Sequence, residues 1–342
     1  MTDSTTRPVL TAPRRETAST TAAASRSERW AAAVQRHGAL AVLVTVAAVA
    51  TGAFPAFGTL DNAHHVAIQS SFLAIVALGM TFVIIGGGID LSVGSVFALG
   101  GVLAAYASRW GLLPALLLPL TVCGVIGAVN GLLVARARMP AFIVTLASLL
   151  GARGLLLAIT DEGANTFLVP RGSAFAHLGQ GTLAGFGHPV YLAVAAFVLG
   201  GLLLRYTRTG QAVYAVGGSE DAAALMGLPV ARVKVTVYLL SGLLAGLAGA
   251  LNAARLSSGV TIIGVGLELD AIAAVVIGGT LLVGGAGTLS GTLCGVLLLG
   301  VIQNVINQIG SLDSSYQSVV SGAFLIVVVV AQTCLGRAQR IR

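Results

Sequence analysis

The sequence predicts an all-α integral membrane protein of about ten transmembrane helices, built as two related halves with helices broken at glycines. Of its 342 residues, 56% are hydrophobic and only 9% are charged, against about 25% charged in ordinary soluble domains. Long apolar runs recur along the chain, and many of its 45 glycines interrupt them. A soluble enzyme is excluded, because the chain has too few polar groups to cover a water-facing surface.

Ten apolar stretches are candidate membrane spans, since about 20 apolar residues cross the hydrocarbon core. The stretch 271–309 has no charged residue and, at 39 residues, is too long for one crossing. We predict a disordered cytoplasmic tail at 1–37, a transmembrane domain at 38–336 and a short cytoplasmic tail at 337–342. The predicted spans lie near 39–57, 66–85, 91–107, 112–135, 141–159, 189–204, 235–254, 267–284, 286–309 and 316–335.

The basic residues predict the orientation of these spans. With a cytoplasmic N-terminus, 15 of the 19 Lys and Arg residues fall on the inside, where cytoplasmic loops concentrate them. Both termini are therefore predicted to be cytoplasmic. The net charge of +7 reflects topology in a lipid bilayer, and we expect no nucleic acid partner. The four outside residues are Arg109, Arg153, Arg171 and Arg255.

A weak internal repeat links two parts of the chain. Residues 83–87 match residues 275–279 at four of five positions. Asn130 precedes Phe142 by 12 residues, as Asn304 precedes Tyr316. Glycine-interrupted segments at corresponding positions indicate a transport pathway, although small residues also serve ordinary helix packing.

The first break follows the apolar run that ends at Ile85. Three glycines release the helix, and Asp90 or Ser92 can cap its restart. A carboxylate at membrane depth is either satisfied by such a cap or functional, and both interpretations stay open. The glycines of this break are Gly86, Gly87, Gly88 and Gly94. The polar residues of the candidate path are Asp90, Ser92, Asn130, Gln303 and Asn304, which can alternatively pair helices.

The second break has an acidic pair on its N-terminal side. Glu268 and Asp270 suit the first turn of a helix, where they complement its dipole. Acid–base chemistry is the weaker interpretation, because no His, Cys or Lys lies nearby in the sequence. The glycines of this break are Gly278, Gly279, Gly285 and Gly287.

The longest inside loop predicts a short cytoplasmic helix. Ser219 is its N-cap, Glu220 and Asp221 lie in its first turn, and Gly227 ends it. A solvated connector is the alternative, but a connector does not need an exposed face of small apolar residues. A docking surface for a soluble partner fits better. The residues of that face are Ala222, Ala223, Leu225 and Met226.

The sequence lacks the motifs expected for ATP binding, metal binding, catalysis or ion coupling. The only lysine, Lys234, lies in Arg-Val-Lys-Val, so no phosphate-binding P-loop is present. We predict no metal site, no cofactor bound by this chain and no catalytic residue. Nor does the sequence show the series of buried acids common in ion-coupled carriers. The energy for transport must therefore come from another protein.

Four motifs resemble the ribose-type monosaccharide permeases of ABC importers. They are Gly79-Met-Thr-Phe-Val-Ile-Ile-Gly-Gly-Gly-Ile-Asp-Leu-Ser-Val-Gly-Ser, Pro140-Ala-Phe-Ile-Val-Thr-Leu, the loop 207–227, and Glu268-Leu-Asp-Ala-Ile-Ala-Ala-Val-Val-Ile-Gly-Gly-Thr. The resemblance runs from about 66 to 335. Met226 and the segments 264–270 and 310–316 look most like a galactofuranose permease subunit.

This resemblance implies a bacterial inner-membrane permease subunit. Its implied partners are a second permease, identical or different, two cytoplasmic ATPases that bind ATP, and an extracytoplasmic sugar-binding protein. Gln211 and Ser219 depart from the commoner family pattern, and Ser219 can still cap a helix. The implied ATPase-coupling loop contains Arg208, Gly210, Tyr214, Gly217, Gly218, Ser219, Glu220 and Met226.

Three alternatives to a monosaccharide importer remain. A permease for another small solute, such as branched-chain amino acids, shares the architecture. An autonomous secondary carrier needs no ATPase, and a structural scaffold needs no pathway.

Overall fold

The structure is a computed structural model that describes residues 26–309 and, beyond them, five helical positions at 319, 322, 323, 326 and 330. Residues 26–309 form twelve α-helices, a 3-10 helix at Ser108–Trp110, and a hairpin of β1 (Thr182–Leu183) with β2 (Phe186–Gly187). The α-helices are α1 Arg26–Ala53, α2 Leu60–Ile85, α3 Val93–Ala107, α4 Leu112–Ala135, α5 Ala141–Ile159, α6 Ala174–Gln180, α7 His188–Tyr206, α8 Arg208–Gly218, α9 Glu220–Leu225, α10 Val230–Leu256, α11 Leu267–Ile277 and α12 Leu289–Ile309.

An all-α membrane fold is confirmed, and the described residues contain six helices long and apolar enough to cross a membrane. These are α2, α4, α5, α7, α10 and α12. The predicted number of about ten is not confirmed within the described residues, where glycine breaks limit α3 to 15 residues and α11 to 11. Most of the predicted span 316–335 and the whole tail 337–342 lie outside the described residues.

The N-terminal boundary needs a correction. The predicted disordered tail ends at residue 37, but α1 begins at Arg26. Residues 26–37 contain no proline or glycine and include the helix formers Ala31, Ala32 and Ala33, and α1 continues through Gly38 into its apolar part. Residues 1–25 lie outside the described residues.

Helix α10 is the centre of the packing and lies against α2, α3 and α4. Glycines allow this close approach, because a Cβ on Gly246 would be 2.7 Å from the Cβ of Cys123. A Cβ on Gly249 would collide with the carbonyl oxygen of Phe97. Close backbone approach at small residues is the common packing mode of membrane helices. Cys123 is buried here and unpaired, as a core residue.

The first landmark of the repeat is confirmed as a shared backbone conformation. The C-cap residue is Gly86 for α2 and Gly278 for α11. The following glycines, Gly87 and Gly279, have φ of 78° and 89°. At both ends the three successive N–H groups from the C-cap onward donate to helix carbonyls at 2.9–3.2 Å. This is the left-handed helix ending that favours glycine.

The second landmark of the repeat is wrong. Asn130 lies in α4, two helices after the first break, whereas Asn304 lies in α12, the helix that directly follows the second break. The two asparagines therefore belong to elements that do not correspond. Equal spacing along the chain could not detect this, because the connections that follow the two breaks differ in length.

Candidate coupling and translocation sites

The predicted coupling loop folds as two helices, α8 and α9. Ser219 caps α9 as predicted, its Oγ accepting from the N–H of Ala222 at 3.3 Å. Helix α8 was not predicted. Its signals are Thr207, whose Oγ accepts from the N–H of Gly210 at 3.1 Å, and the buried apolar residues Val213 and Val216 one turn apart.

The end of α9 presents apolar side chains to its surroundings. Leu225 is 89% exposed and Met226 71% exposed. Ala223 is fully buried, which corrects the predicted exposed face, because this alanine packs beneath the helix. Glu220, also exposed, forms an ion pair with Lys234 at 2.5 Å. Arg208, the first residue of α8, is exposed at the same end of the bundle.

The C-terminal end of α8 meets both glycine breaks at one point, which we call the glycine junction, formed by Gly87, Gly217, Gly284 and Gly285. The N–H of Gly285 donates to the carbonyl of Ile85 at 2.8 Å, which joins the two breaks directly. A Cβ on Gly217 would collide with this carbonyl and would lie 2.7 Å from the Gly285 nitrogen. Gly284 was not among the predicted site residues. Its φ is 88°, and a Cβ on it would lie 2.8 Å from the carbonyl oxygen of Gly217.

Tyr214 forms a second contact between α8 and the second break. Its hydroxyl donates to the carbonyl of Gly287 at 2.8 Å. Burial raises the pKa of the Tyr214 phenol, so it stays protonated and remains a donor at neutral pH. Gly210 allows α8 to begin tightly after α7, because a Cβ there would collide with the carbonyl of Leu204. Gly218, in contrast, has open space around its Cβ position.

Asp90 satisfies its carboxylate within the first break. Oδ1 accepts from the N–H and Oγ of Ser92 at 3.0 and 2.6 Å, and Oδ2 accepts from Ser241 Oγ of α10 at 2.7 Å. The Ser92 hydroxyl accepts from Asn130 of α4 at 3.2 Å, and Asn130 in turn accepts from Ser148 of α5. Neither residue caps α3 as predicted, because Asp90 accepts from the N–H of Ser92, which precedes the helix, and Ser92 makes no side-chain cap of its own.

The sequence predicted that these polar residues line the translocation path, but the structure buries them. Asp90, Ser92 and Asn130 are each at most 1% exposed, so in this conformation they join helices and line no open cavity. Asn130 of α4 and Ser241 of α10 cover Ser92 and Asp90, whereas Gly86, Gly87 and Gly88 of the same break line a separate open pocket. The predicted path residues thus divide into this buried group and a second group at the opposite end of the bundle.

Gly94 does not lie in the break. It is the second residue of α3, where a Cβ would collide with Glu268 Oε2 and the Gly264 carbonyl, so it serves close packing. Glu268 and Asp270 lie in the first turn of α11 as predicted. Arg153 of α5 donates to the Thr261 carbonyl at 2.7 Å and so holds the loop that precedes α11.

Gln303 and Asn304 line a polar cleft at the other end of the bundle, with a volume of about 270 Å³. Asn304 also forms a reciprocal amide pair with Asn62, at 2.8 and 3.1 Å, which joins α12 to α2. Arg255, not among the predicted site residues, contributes a guanidinium, and none of the described residues that line the cleft carries a carboxylate. We call this the outer cleft; its lining is His65, Val66, Gln69, Arg255, Gly300, Gln303, Asn304 and Asn307.

Comparisons with known proteins decide the family. The family model described as branched-chain amino acid transport system, permease component, matches residues 62–329. The ribose import permease RbsC of Escherichia coli K12 is 41% identical over 300 residues, covering 87% of this chain and 93% of that protein. This chain belongs to the ribose-type monosaccharide permease family of ABC importers. The RbsC protein of Bacillus subtilis is 42% identical over 278 residues, covering 81% and 86%.

Other relatives of this ribose-type permease carry names for a different sugar. The L-arabinose permease AraH of Azospirillum brasilense is 36% identical over 299 residues, covering 87% of each chain. No solved structure matches the chain. As a ribose-type permease, the chain is a multi-pass inner-membrane transport subunit and not an enzyme. Within the described residues no cluster of His, Cys, Asp or Glu could hold a metal ion.

Proposed function

We propose that the chain is the membrane permease of a bacterial ABC importer that carries a pentose or a related monosaccharide into the cell. It works with a second permease, two cytoplasmic ATPases that bind the ATP, and an extracytoplasmic sugar-binding protein. The glycine junction carries this proposal. Through it α8, which leads directly into α9 and its exposed apolar end, contacts both breaks.

Coupling follows from the rigidity of that contact. Leu225 and Met226 offer the ATPase an apolar surface, with the Glu220–Lys234 pair beside it. When the ATPases close on ATP, they move α9 and α8 as a unit. Backbone at Gly217 lies too close to both breaks for α8 to shift alone, so the ends of α2 and α11 move with it.

The chemistry of the outer cleft supports a sugar as cargo. Amides and a guanidinium supply several donors and acceptors for ring hydroxyls, while the rest of the cleft is small or apolar. The relatives named for ribose and L-arabinose support a pentose. Galactofuranose is the second candidate, favoured by the sequence at Met226 and residues 264–270.

We infer that both termini are cytoplasmic. Arg138, Lys234 and Arg205 lie at the end of the bundle that carries the glycine junction, whereas Arg255 lies at the outer cleft. Cytoplasmic loops are the ones enriched in Lys and Arg. The junction end is therefore the cytoplasmic end, and the outer cleft faces the binding protein.

The test is transport by the purified assembly. A tagged copy of this chain is isolated with its partners from the native membrane, reconstituted in vesicles and given the binding protein outside. We expect ATP-dependent uptake of ribose, arabinose or galactofuranose that stops when the ATPase is inactivated. Uptake that continues with an inactive ATPase would indicate an autonomous carrier. Uptake of leucine in place of every sugar would indicate the amino acid alternative.

A further inference from the structure

An apolar groove runs along the outside of the bundle between α2, α7 and α12. Its volume is about 440 Å³, and none of the described residues that line it is charged. Val194, Phe197 and Val198 form the α7 wall, while Leu293 and Leu297 form the α12 wall. Val194 and Val198 are 55% and 56% exposed, so this wall is open to the surrounding bilayer.

The junction end of this groove opens into a polar pocket. That pocket has a volume of about 840 Å³ and is lined by Arg205, Gln211 and Tyr214 among others. Leu289 and Ser290 line both the apolar groove and the polar pocket, so the two are continuous. We call the combined feature the α7–α12 groove.

The polar pocket carries an uncompensated positive charge. Arg205 is exposed, and neither part of the groove is lined by Asp or Glu. No described carboxylate forms an ion pair with Arg205. Ser290, an exposed serine, lies where the pocket and the groove meet.

We propose that the α7–α12 groove binds an anionic phospholipid of the cytoplasmic leaflet, with its phosphate at Arg205 and an acyl chain in the apolar part. The proposal rests on the orientation inferred above. Basic pockets between transmembrane helices on the cytoplasmic side are suited to anionic headgroups. One leaflet is about 15 Å deep, and ten residues of α7 counted back from Arg205 cover that depth, past Val198 and Phe197.

The combination of apolar walls with a positive charge at one end excludes the other ligands and partners proposed for this chain. A sugar does not fit the apolar walls, and a soluble ATPase does not reach between membrane-spanning helices. A second permease could cover the apolar walls but would not supply an anionic partner for Arg205. An amphiphile with one anionic end and one long apolar chain satisfies both parts of the α7–α12 groove.

The experiment measures lipid retention by the purified assembly in detergent. Native mass spectrometry and thermal unfolding compare phosphatidylglycerol with phosphatidylcholine of the same acyl chains, with glycerol phosphate as a third arm. The variants are Arg205→Gln for the headgroup and Val198→Trp for the groove. Their matched controls are Arg232→Gln, an exposed arginine at the same end outside the groove, and Leu150→Trp, an exposed leucine on α5.

We expect the wild type to retain phosphatidylglycerol in preference to phosphatidylcholine. Arg205→Gln should weaken that preference about fivefold, the factor equivalent to one interfacial charge. Val198→Trp should lower retention of both lipids, and both control variants should behave as wild type. Equal retention of the two lipids by the wild type, or equal loss in Arg232→Gln, would overturn the proposal. So would stabilisation by glycerol phosphate alone, or a photo-crosslink from position 198 to a second permease.

Discussion

The backbone N–H of Gly285 donates a 2.8 Å hydrogen bond to the carbonyl of Ile85, across 200 residues of sequence. Ile85 is the last residue of α2, and Gly285 lies in the break after α11. The two breaks of the internal repeat are therefore one structural unit. The end of α8 packs against this unit, so α8 contacts both breaks directly.

Gly217→Val should disrupt the glycine junction, because the added Cβ would collide with the Ile85 carbonyl. We expect a loss of about 1–3 kcal/mol of stability from overpacking and little ATP-driven uptake. Gly218→Ala is the matched control, since its Cβ position is open. Thermal unfolding and vesicle uptake measure the two effects. Wild-type uptake by Gly217→Val would contradict a role of the junction in coupling.

Tyr214→Phe should weaken coupling with little effect on folding. The variant loses only the hydroxyl that donates to the Gly287 carbonyl, a bond that contributes about 1 kcal/mol. We expect ATP hydrolysis to continue while uptake per ATP falls. Tyr206→Phe is the control, because Tyr206 is 70% exposed. If both variants keep the wild-type ratio of uptake to hydrolysis, the Tyr214 contact plays no part in coupling.

The Tyr214 contact should also be insensitive to pH over the usable range. Burial raises the phenol pKa, so the proton on its oxygen is retained beyond the usual value of about 10. The difference in coupling between wild type and Tyr214→Phe should therefore stay constant from pH 6 to about pH 9. Uptake at several pH values measures it, and a difference that vanishes within this window would exclude the bond as its cause.

Asp90→Ala should be far more harmful than Asp90→Asn. Removing the carboxylate leaves the N–H and Oγ of Ser92 and the Ser241 hydroxyl without their acceptor, at about 1–3 kcal/mol for each buried group. An asparagine keeps one acceptor for Ser92 and can donate to Ser241. We expect Asp90→Asn to fold and transport, as judged by membrane yield and uptake. Loss of transport in folded Asp90→Asn would show that the negative charge itself is required.

Arg255→Gln should reduce sugar uptake without destabilising the protein. Its guanidinium faces the outer cleft and holds no described carboxylate, so its removal leaves no buried charge unpaired. We expect a lower maximal rate of uptake at saturating binding protein, with unchanged thermal unfolding. Arg109→Gln is the control, since Arg109 packs on the rings of Tyr106 and Trp110 outside the cleft. Equal uptake by both variants would remove Arg255 from the sugar path.

The sequence predicted those features that depend on local physics. Ser219 followed by two acids indicated α9, and the paired glycines indicated both helix endings, because capping and left-handed φ are properties of a few adjacent residues. It missed α8, whose apolar side is short and whose glycines suggested a loop. It also placed Ser92 and Asn130 in the path, since a polar residue in a membrane span is either functional or paired, and spacing does not distinguish the two.

Composition and periodicity by themselves determined that this chain is a helical membrane protein with glycine-broken spans, because lipid requires apolar helices and glycine releases them. Its motifs determined the permease family. Only the tertiary structure decided that Ile85, Gly217 and Gly285 meet, that Asp90 is sealed by Ser241, and that Arg255 joins Asn304 in one cleft. Each of these depends on which helices pack side by side, and that is set by close approach between segments far apart in the chain.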